Sequence, residues 1–512
     1  MEMVNPHTRQ APRFFAASPR ATWIAVVLIF LVGLGIRLFQ LSDPPLELHA
    51  ARQLRSLFIS RGMYYENLPS APAWQREIAV SQYRSQGLIE PPIMERLAAW
   101  SYALAGGIDL RIPRLIAILF WSLGGLGLFL LTRELTDANG GVIALAFYMT
   151  LSYTVMASRA FMPESLLIAA IIWAWWAMAR WSRNPTWKHA VTAGLLAGFA
   201  IFGKSTAVFF IAGAWLGLLL GGTGLRQALK SRQVWVMALL TVLPYVLYHV
   251  YAVYITARMA GQFSLRFFPE MWSDPRNYFA WLNVIDDVVG FEWLLAATAG
   301  FFLLRDRFAR GLFLGSLVGY GLYGWAFMYY STTHDYYTLP LVPMVAVGLG
   351  SVIAVVLSHL SVKRPWAELA FAGLMLVPMT LNLWDANVAM RQRDFQADVA
   401  LAEDAGALFK PNDQVITIAP YSSGTLQYWG WMNTHVWMST ADFALRARAG
   451  QSYDIKALFD ETIAGMDYFF VMNFDEFDAQ PELKAILQDG YKIVAQTPDY
   501  ILFDLHQPLT PR

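Results

Sequence analysis

The chain contains no cysteine, which excludes a disulfide scaffold and every thiolate metal site. It is also poor in charge. Asp, Glu, Lys and Arg make up 15% of its 512 residues, against 56% hydrophobic. Ordinary globular chains are about 25% charged and 45–50% apolar. A typical soluble enzyme and a disordered chain are therefore both excluded. No Gly-rich phosphate loop, dinucleotide fingerprint or internal repeat is present. The lack of repeats argues against a transporter built on duplicated halves. No basic stripe lies outside the apolar region, which argues against a nucleic-acid partner.

What is present is a series of apolar blocks of roughly 17 residues or more, the length that spans a bilayer. Ala21–Gln40 is apolar apart from Arg37, and no small-x-small cleavage site closes it. It reads as a retained first span behind a basic segment, 1–20, carrying Arg9, Arg13 and Arg20. Further spans are predicted at 113–132, 140–158, 164–181, 189–203, 205–222, 233–253, 288–304, 311–330, 338–358 and 367–384, about eleven in all. This is the pattern of a polytopic α-helical membrane protein. The connections sort by charge. One set holds Arg133, Arg180, Arg183, Lys188, Arg226, Lys230, Arg232, Arg305, Arg307, Arg310, Lys363 and Arg364. The positive-inside rule makes that set cytoplasmic. By parity 41–112, 159–163, the break at Lys204, 254–287, 331–337 and everything after 384 are external. Arg159 votes against this sidedness.

The long loop 41–112 holds two predicted interfacial helices, Leu48–Ser60 and Pro91–Ala105. Long structured loops in compact proteins are usually functional. From Asp394 onward 17 acidic residues face 7 basic ones, leaving 20 acidic and 31 basic before it. Strands are expected at Val415–Ala419, Tyr468–Met472, Tyr491–Ala495 and Tyr500–Asp504. Helices at Phe395–Leu408, Ile455–Ala464 and Pro481–Gln488 alternate with them. The chain thus divides into a basic segment 1–20, a membrane domain 21–384 and a small external α/β domain 385–512.

Ionisable residues at the external surface of such a protein are informative because they are few. Asp43 and Glu47 precede a helical face shared by His49, Arg52 and Gln53 at i, i+3 and i+4 spacing, with Arg55 close by. A carboxylate there could accept a proton from a hydroxyl, and arginine suits phosphate. Equally, Glu47 could only cap a solvated helix. Glu164 in Met162-Pro163-Glu164 opens a span, where the helix dipole alone would favour it. Lys204 is a lone cation that either snorkels to headgroups or anchors an anionic one. His334, Asp335, Tyr336 and Tyr337 offer donors, acceptors and stacking faces, or an ordinary aromatic belt. Tyr421, Tyr428, Trp429 and Trp431 could stack on sugar rings or form the core of the tail domain. The clusters of the membrane domain all map to one membrane face.

In this order the motifs resemble those of the C-type glycosyltransferases, in particular the dolichyl-phosphate-mannose-protein mannosyltransferase-like and aminoarabinose-transferase-like enzymes. Glu90-Pro91-Pro92 is similar to the family's Lys-Pro-Pro, and Arg111-Ile112-Pro113 to its Arg-Leu-Pro. Met162-Pro163-Glu164 is similar to its acidic second external loop, and Gly203-Lys204 to its Lys-Gly in reversed order. Asp335-Tyr336-Tyr337 with Pro340 and Pro343 is similar to its Tyr-Tyr-x-x-Pro-x-x-Pro. His49-Ala50-Ala51-Arg52-Gln53 resembles a His-x-x-Arg-Gln variant of some bacterial members.

The resemblance implies a C-type glycosyltransferase fold and inverting transfer of a sugar from a polyprenyl-phosphate donor to an acceptor hydroxyl. The acceptor would be a protein, lipid or polysaccharide, and the setting a bacterial inner membrane with a periplasmic active face. Counting back from Gly62, Glu47 falls where the family has its first catalytic Asp, with Asp43 and Glu164 as substitutes. Leu48 stands at the family's second acidic position, and Glu90 stands where it has Lys. Donor binding would then fall to His49, Arg52, Gln53, Arg55, Lys204, His334, Asp335, Tyr336 and Tyr337. The scheme requires no cofactor. A divalent metal between His49 and Glu47 would have two ligands, too few to define a site. The rival readings are an inactive lipid-linked-sugar binding or assembly protein of this fold and a membrane transporter.

Overall fold

A computed structural model describes residues 14–87, 89–222, 224–257, 259, 265–359, 365–392 and 394–509. Most of the predicted basic segment 1–20, including Arg9 and Arg13, lies outside the described residues, as do Lys363 and Arg364.

Every predicted span falls on a helix. Ser18 caps the first, Pro19–Leu38, by accepting from the Ala21 amide. Arg111–Leu135, Ala138–Thr150, Glu164–Arg183, Trp187–Gly203, Ala207–Gly221 and Arg232–Val250 follow. Phe291–Leu303, Arg307–Ala326, Leu341–His359 and Pro365–Arg391 complete the series. Among the described residues, 5 helices are long and apolar enough to cross a membrane, and three shorter apolar ones accompany them. The expected span 140–158 is broken at Leu151, whose extended backbone separates Ala138–Thr150 from Ser152–Ala157. The guanidinium of Arg37, fully buried, satisfies carbonyls around that break: it donates to Met149 O at 2.7 Å and to Gly33 O at 2.8 Å. A cation inside a bundle is tolerated when its donors are used in this way. The last long helix runs to Arg391, past the expected boundary at 384.

Lipid-facing residues such as Leu28, Leu119, Leu239 and Leu374 stay exposed, while small residues face inward. Gly213, Gly217 and Gly221 of Ala207–Gly221 meet Gly311, Gly315 and Gly319 of Arg307–Ala326. A β-carbon on Gly217 would strike the Gly311 carbonyl, and one on Gly315 the Gly213 carbonyl. Both helices therefore carry a Gly-x-x-x-Gly-x-x-x-Gly row, which lets their backbones touch where apolar side chains gain nothing over lipid.

The described connections of each set predicted from charge meet one another. At one end of the bundle Arg183 reaches Asp306 at 3.0 Å and the Glu134 carbonyl at 2.9 Å, joining three of the basic connections. At the other end lies the loop 41–112. Its first helix is Ala50–Glu66, longer than the expected Leu48–Ser60. It continues through Gly62 because that glycine lets a second helix, Ala73–Ser85, close in with Tyr83. Ala73–Ser85 is a further helix beyond those expected from the sequence. Ile93–Ala105 sits where an interfacial helix was expected and ends on Gly106, whose φ of 78° suits a left-handed cap.

The tail domain holds a five-stranded mixed sheet: β1 (Val415–Ile418), β2 (Thr434–Val436), β3 (Tyr468–Val471), β4 (Tyr491–Gln496) and β5 (Ile501–Pro508), in the order β2-β1-β3-β5-β4. β1 is parallel to β2 and β3, whereas β5 is antiparallel to β3 and β4. Arg61 and Gln82 dock this domain on the loop helices. Arg61 donates to the Tyr428 carbonyl at 2.5 Å and Gln82 to that of Met432 at 2.8 Å. The Arg61 guanidinium also lies 4.0 Å from the Tyr428 ring centre and 4.3 Å from that of Trp431. Tyr428 and Trp431 thus form a junction between domains.

Candidate active site

A cavity of about 510 Å³ opens at the end of the bundle that holds the loop 41–112. Its lining brings together His49, Arg52 and Arg55 from the first loop with Glu90, Lys204, Arg266, Tyr330, His334, Tyr336 and Tyr337. Tyr421 of the tail domain also lines it.

The wall is built from ion pairs. Arg52 pairs with Glu90, and Lys204 with Glu164. Each pair uses one carboxylate oxygen; Glu90 Oε2 and Glu164 Oε2 are buried and take no hydrogen bond among the described residues. Burial opposes the charge of Arg52, but Glu90 and Glu164 outweigh it and hold its pKa above the ordinary value. Burial likewise pushes the Glu90 carboxyl up, yet Arg52 and Lys204 leave it below the usual range. Arg55 differs. Its partner is the Gly87 carbonyl, and it forms no ion pair among the described residues. Burial, then Arg52 beside it, lowers its pKa. The Lys204 ammonium lies 5.4 and 5.5 Å from the ring centres of Tyr336 and Tyr337.

His49 begins the first loop helix with left-handed backbone (φ 45°), a conformation that histidine tolerates better than most residues. Its Nε2 lies 2.5 Å from Asp335 Oδ1. Its ring meets Tyr336 edge-on at 4.7 Å and is parallel to that of His334 at 6.1 Å. Burial pushes the Asp335 carboxyl up, but the hydrogen bond from His49 leaves it below the usual range. His334 is pushed down to about 4, first by burial and then by His49. It is therefore a neutral ring, with Nδ1 2.8 Å from Thr333 Oγ1.

The remaining predicted residues lie behind the wall. Both oxygens of Glu47 are held by Arg114, at 2.5 and 2.8 Å, and Arg159 Nε is 3.9 Å away. Arg114 is fully buried and also donates to the Asp43 and Pro44 carbonyls at 3.1 and 3.2 Å. Glu47 does not line the cavity. Burial raises the pKa of Asp43 although Arg114 lowers it. Burial, then Arg114, pushes Arg159 down to about 10. Gln53, fully buried, joins the first and second loops by donating to the Leu48 carbonyl and accepting from the Phe161 amide at 2.9 Å. Arg114, Arg266 and Tyr330 are residues of the site that the sequence motifs do not include.

A second cavity, of about 300 Å³, shares Ser205, Thr206 and Arg266 with the first. Ile201, Val208, Phe209, Val242 and Tyr245 line it, so it is largely apolar. A third, of about 290 Å³, shares Ile201, Val208 and Val242 with the second and runs to Trp215 and Leu219. A cationic pocket thus leads into an apolar groove along the helices.

The helices are those of a multi-pass membrane protein, and the fold is shared with solved membrane proteins. The sequence model of the dolichyl-phosphate-mannose-protein mannosyltransferase family matches residues 89–251. ArnT from Cupriavidus metallidurans in the apo state superposes with a TM-score of 0.55 at 15% identity, covering 95% of this chain and 98% of that one. The same protein bound to undecaprenyl phosphate gives 0.54 at 14%, with 93% and 97% covered. The archaeal oligosaccharyltransferase AglB from Archaeoglobus fulgidus, in complex with an inhibitory peptide and a dolichol-phosphate, gives 0.52 at 11%, with 93% and 71% covered. Compared by sequence alone, no curated protein matches significantly.

Proposed function

We propose that this protein transfers a sugar from a polyprenyl-phosphate donor to an acceptor hydroxyl by a single displacement that inverts the anomeric centre. The observation that carries this reading is the continuity of the cationic pocket with the apolar groove. A ligand matching both has an anionic head and a long hydrocarbon tail. Arg52, Arg55, Arg266 and Lys204 bring four cations to the head, with Glu90 and Glu164 as counter-charges. A phosphate is the fitting anion, since arginine binds its oxygens in a fork and lysine as a point charge. The polyprenyl phosphates seen on ArnT and AglB have this shape. In the proposed orientation the pocket and tail domain face the periplasm, as the charge of the connections favours. The acceptor is a protein, lipid or polysaccharide hydroxyl. The displacement itself is written without a metal or cofactor.

The test uses the full chain in nanodiscs. Binding of undecaprenyl phosphate and turnover of a panel of undecaprenyl-phosphate sugars are measured together. Saturable micromolar or tighter binding with turnover of at least one donor is the expected result. Absence of binding would return the protein to the transporter class. Binding without turnover of any donor would mean either that the assay lacks the acceptor or that the protein only binds.

A further inference from the structure

We infer that His49, oriented by Asp335, takes the proton from the acceptor hydroxyl; this rests on the transferase reading above. The acceptor oxygen bonds to the anomeric carbon as that carbon's bond to the phosphate oxygen breaks. The electron pair leaves with the polyprenyl phosphate. The hydroxyl proton passes to His49 Nδ1, and the resulting imidazolium charge is balanced by Asp335.

Geometry selects His49 by what surrounds each acid or base near the pocket. Glu47 has both oxygens on buried Arg114 and stands behind the wall. Glu90 and Glu164 each pair with a cation through one oxygen, and the other oxygen is buried. His49 lines the cavity, and its Nε2 is taken by Asp335. With Nε2–H donating to the carboxylate, Nδ1 is the nitrogen with a lone pair. Nδ1 makes no hydrogen bond among the described residues. The carboxylate therefore sets both the tautomer and the ring plane. The edge of Tyr336 at 4.7 Å and the parallel ring of His334 hold it from the sides.

His49 is also the one lining residue of the first loop with left-handed backbone. A non-glycine residue in that region costs about 1–3 kcal/mol and persists where the surroundings impose it, often at a functional site. The other histidine is a weaker choice. Burial first, and then His49, push His334 down to about 4, which makes it the weaker base. Its ring is suited to bracing His49.

The experiment compares wild type, His49→Gln, Asp335→Asn and Asp335→Glu in nanodiscs. It reads undecaprenyl phosphate affinity and turnover of the donor panel. All four are expected to bind within threefold of one another. Turnover should fall by about 10²–10⁴-fold in His49→Gln, the usual worth of a general base. Asp335→Asn should lower kcat by at least tenfold with KM unchanged, and Asp335→Glu should recover part of it. His49→Gln retaining more than a tenth of wild-type turnover would overturn the assignment. Where wild type binds but no donor turns over, reaction of His49 with diethyl pyrocarbonate, read by mass spectrometry, decides. Supporting results are a rate that falls about tenfold in Asp335→Asn and protection of the ring by undecaprenyl phosphate. Equal rates in wild type and Asp335→Asn would overturn it. No binding of undecaprenyl phosphate by wild type would overturn the transferase reading itself.

Discussion

Two carboxylates at the same end of the bundle have opposite surroundings. Glu47 is gripped at both oxygens by a guanidinium with no exposure, and a second arginine stands 3.9 Å away. Asp335 meets the imidazole of His49, which lines the cavity, and about a third of its side chain is exposed. The first arrangement fixes the loop 41–112 to the start of the Arg111–Leu135 helix. The second engages Nε2 of His49, a residue that lines the pocket, and leaves Nδ1 without a hydrogen bond among the described residues. The comparison teaches that a place in a motif does not assign a role. Partner and burial do, because they decide whether an oxygen or nitrogen lone pair is available to a substrate.

The sharpest way to break the comparison is to remove Arg114. Arg114→Met leaves Glu47 buried without its partner, and losing one member of such a pair costs about 3–5 kcal/mol. We expect unfolding in detergent at a markedly lower temperature or denaturant concentration. The double variant Glu47→Leu, Arg114→Met removes both charges and should regain most of that loss. If the double variant is as unstable as the single one, the pair is not what holds this loop. Its turnover sharpens the contrast further: a stable double variant that transfers sugar leaves Glu47 with a positioning role. A stable one that is inactive returns Glu47 to the chemistry.

Arg61 makes the same kind of clamp across a domain boundary. Two of its guanidinium nitrogens meet the tail domain's Tyr428 and Gln427 carbonyls, at 2.5 and 3.2 Å. Hydrogen bonds from a charged donor are worth about 1.5–3 kcal/mol. Arg61→Ala should therefore loosen the tail domain by about 2–3 kcal/mol while the bundle keeps its stability. Limited proteolysis read by mass spectrometry should cut first between the last bundle helix and β1. Unchanged cleavage would assign the docking to Gln82 and the apolar contacts instead.

The bundle was legible in the sequence because an apolar run long enough to span a bilayer has few alternatives. Even the thin break at Lys204 is a real turn, between Trp187–Gly203 and Ala207–Gly221. The tail strands were legible as β-branched and aromatic runs. β2, with three residues, is too short to show a period. Ala73–Ser85 was hidden because its stability comes from Gly62 and from Gln82 reaching the tail domain, contacts distant in sequence. Of the site, the clusters were legible but their pairing was not. Arg111, singled out in its motif, is exposed and pairs with Asp109 at 2.6 Å. Arg114, one turn on, is the buried partner of Glu47. A cation in the first turn of an apolar span was the signal that pointed to it. Tyr421 arrives from the tail domain on three successive left-handed residues, Tyr421, Ser422 and Ser423, which no local spacing announces.

The smallest expected effect tests the pocket's charge. Arg52 and Lys204 each have a carboxylate to lean on, so an arriving phosphate must compete for them. Arg55 has a carbonyl, and burial together with Arg52 works against its charge. An anion bound there relieves that penalty, so Arg55 gains more from the ligand than its paired neighbours do. Arg55→Gln should weaken undecaprenyl phosphate binding about tenfold, which corresponds to about 1.4 kcal/mol. The dependence of affinity on salt should become shallower, because one fewer cation takes part. The same substitution should leave the thermal stability of the ligand-free protein unchanged or raised, since an unfavourable buried charge is lost. A drop in stability with unaltered affinity would mean that the Gly87 carbonyl, and not a ligand, is the reason for Arg55.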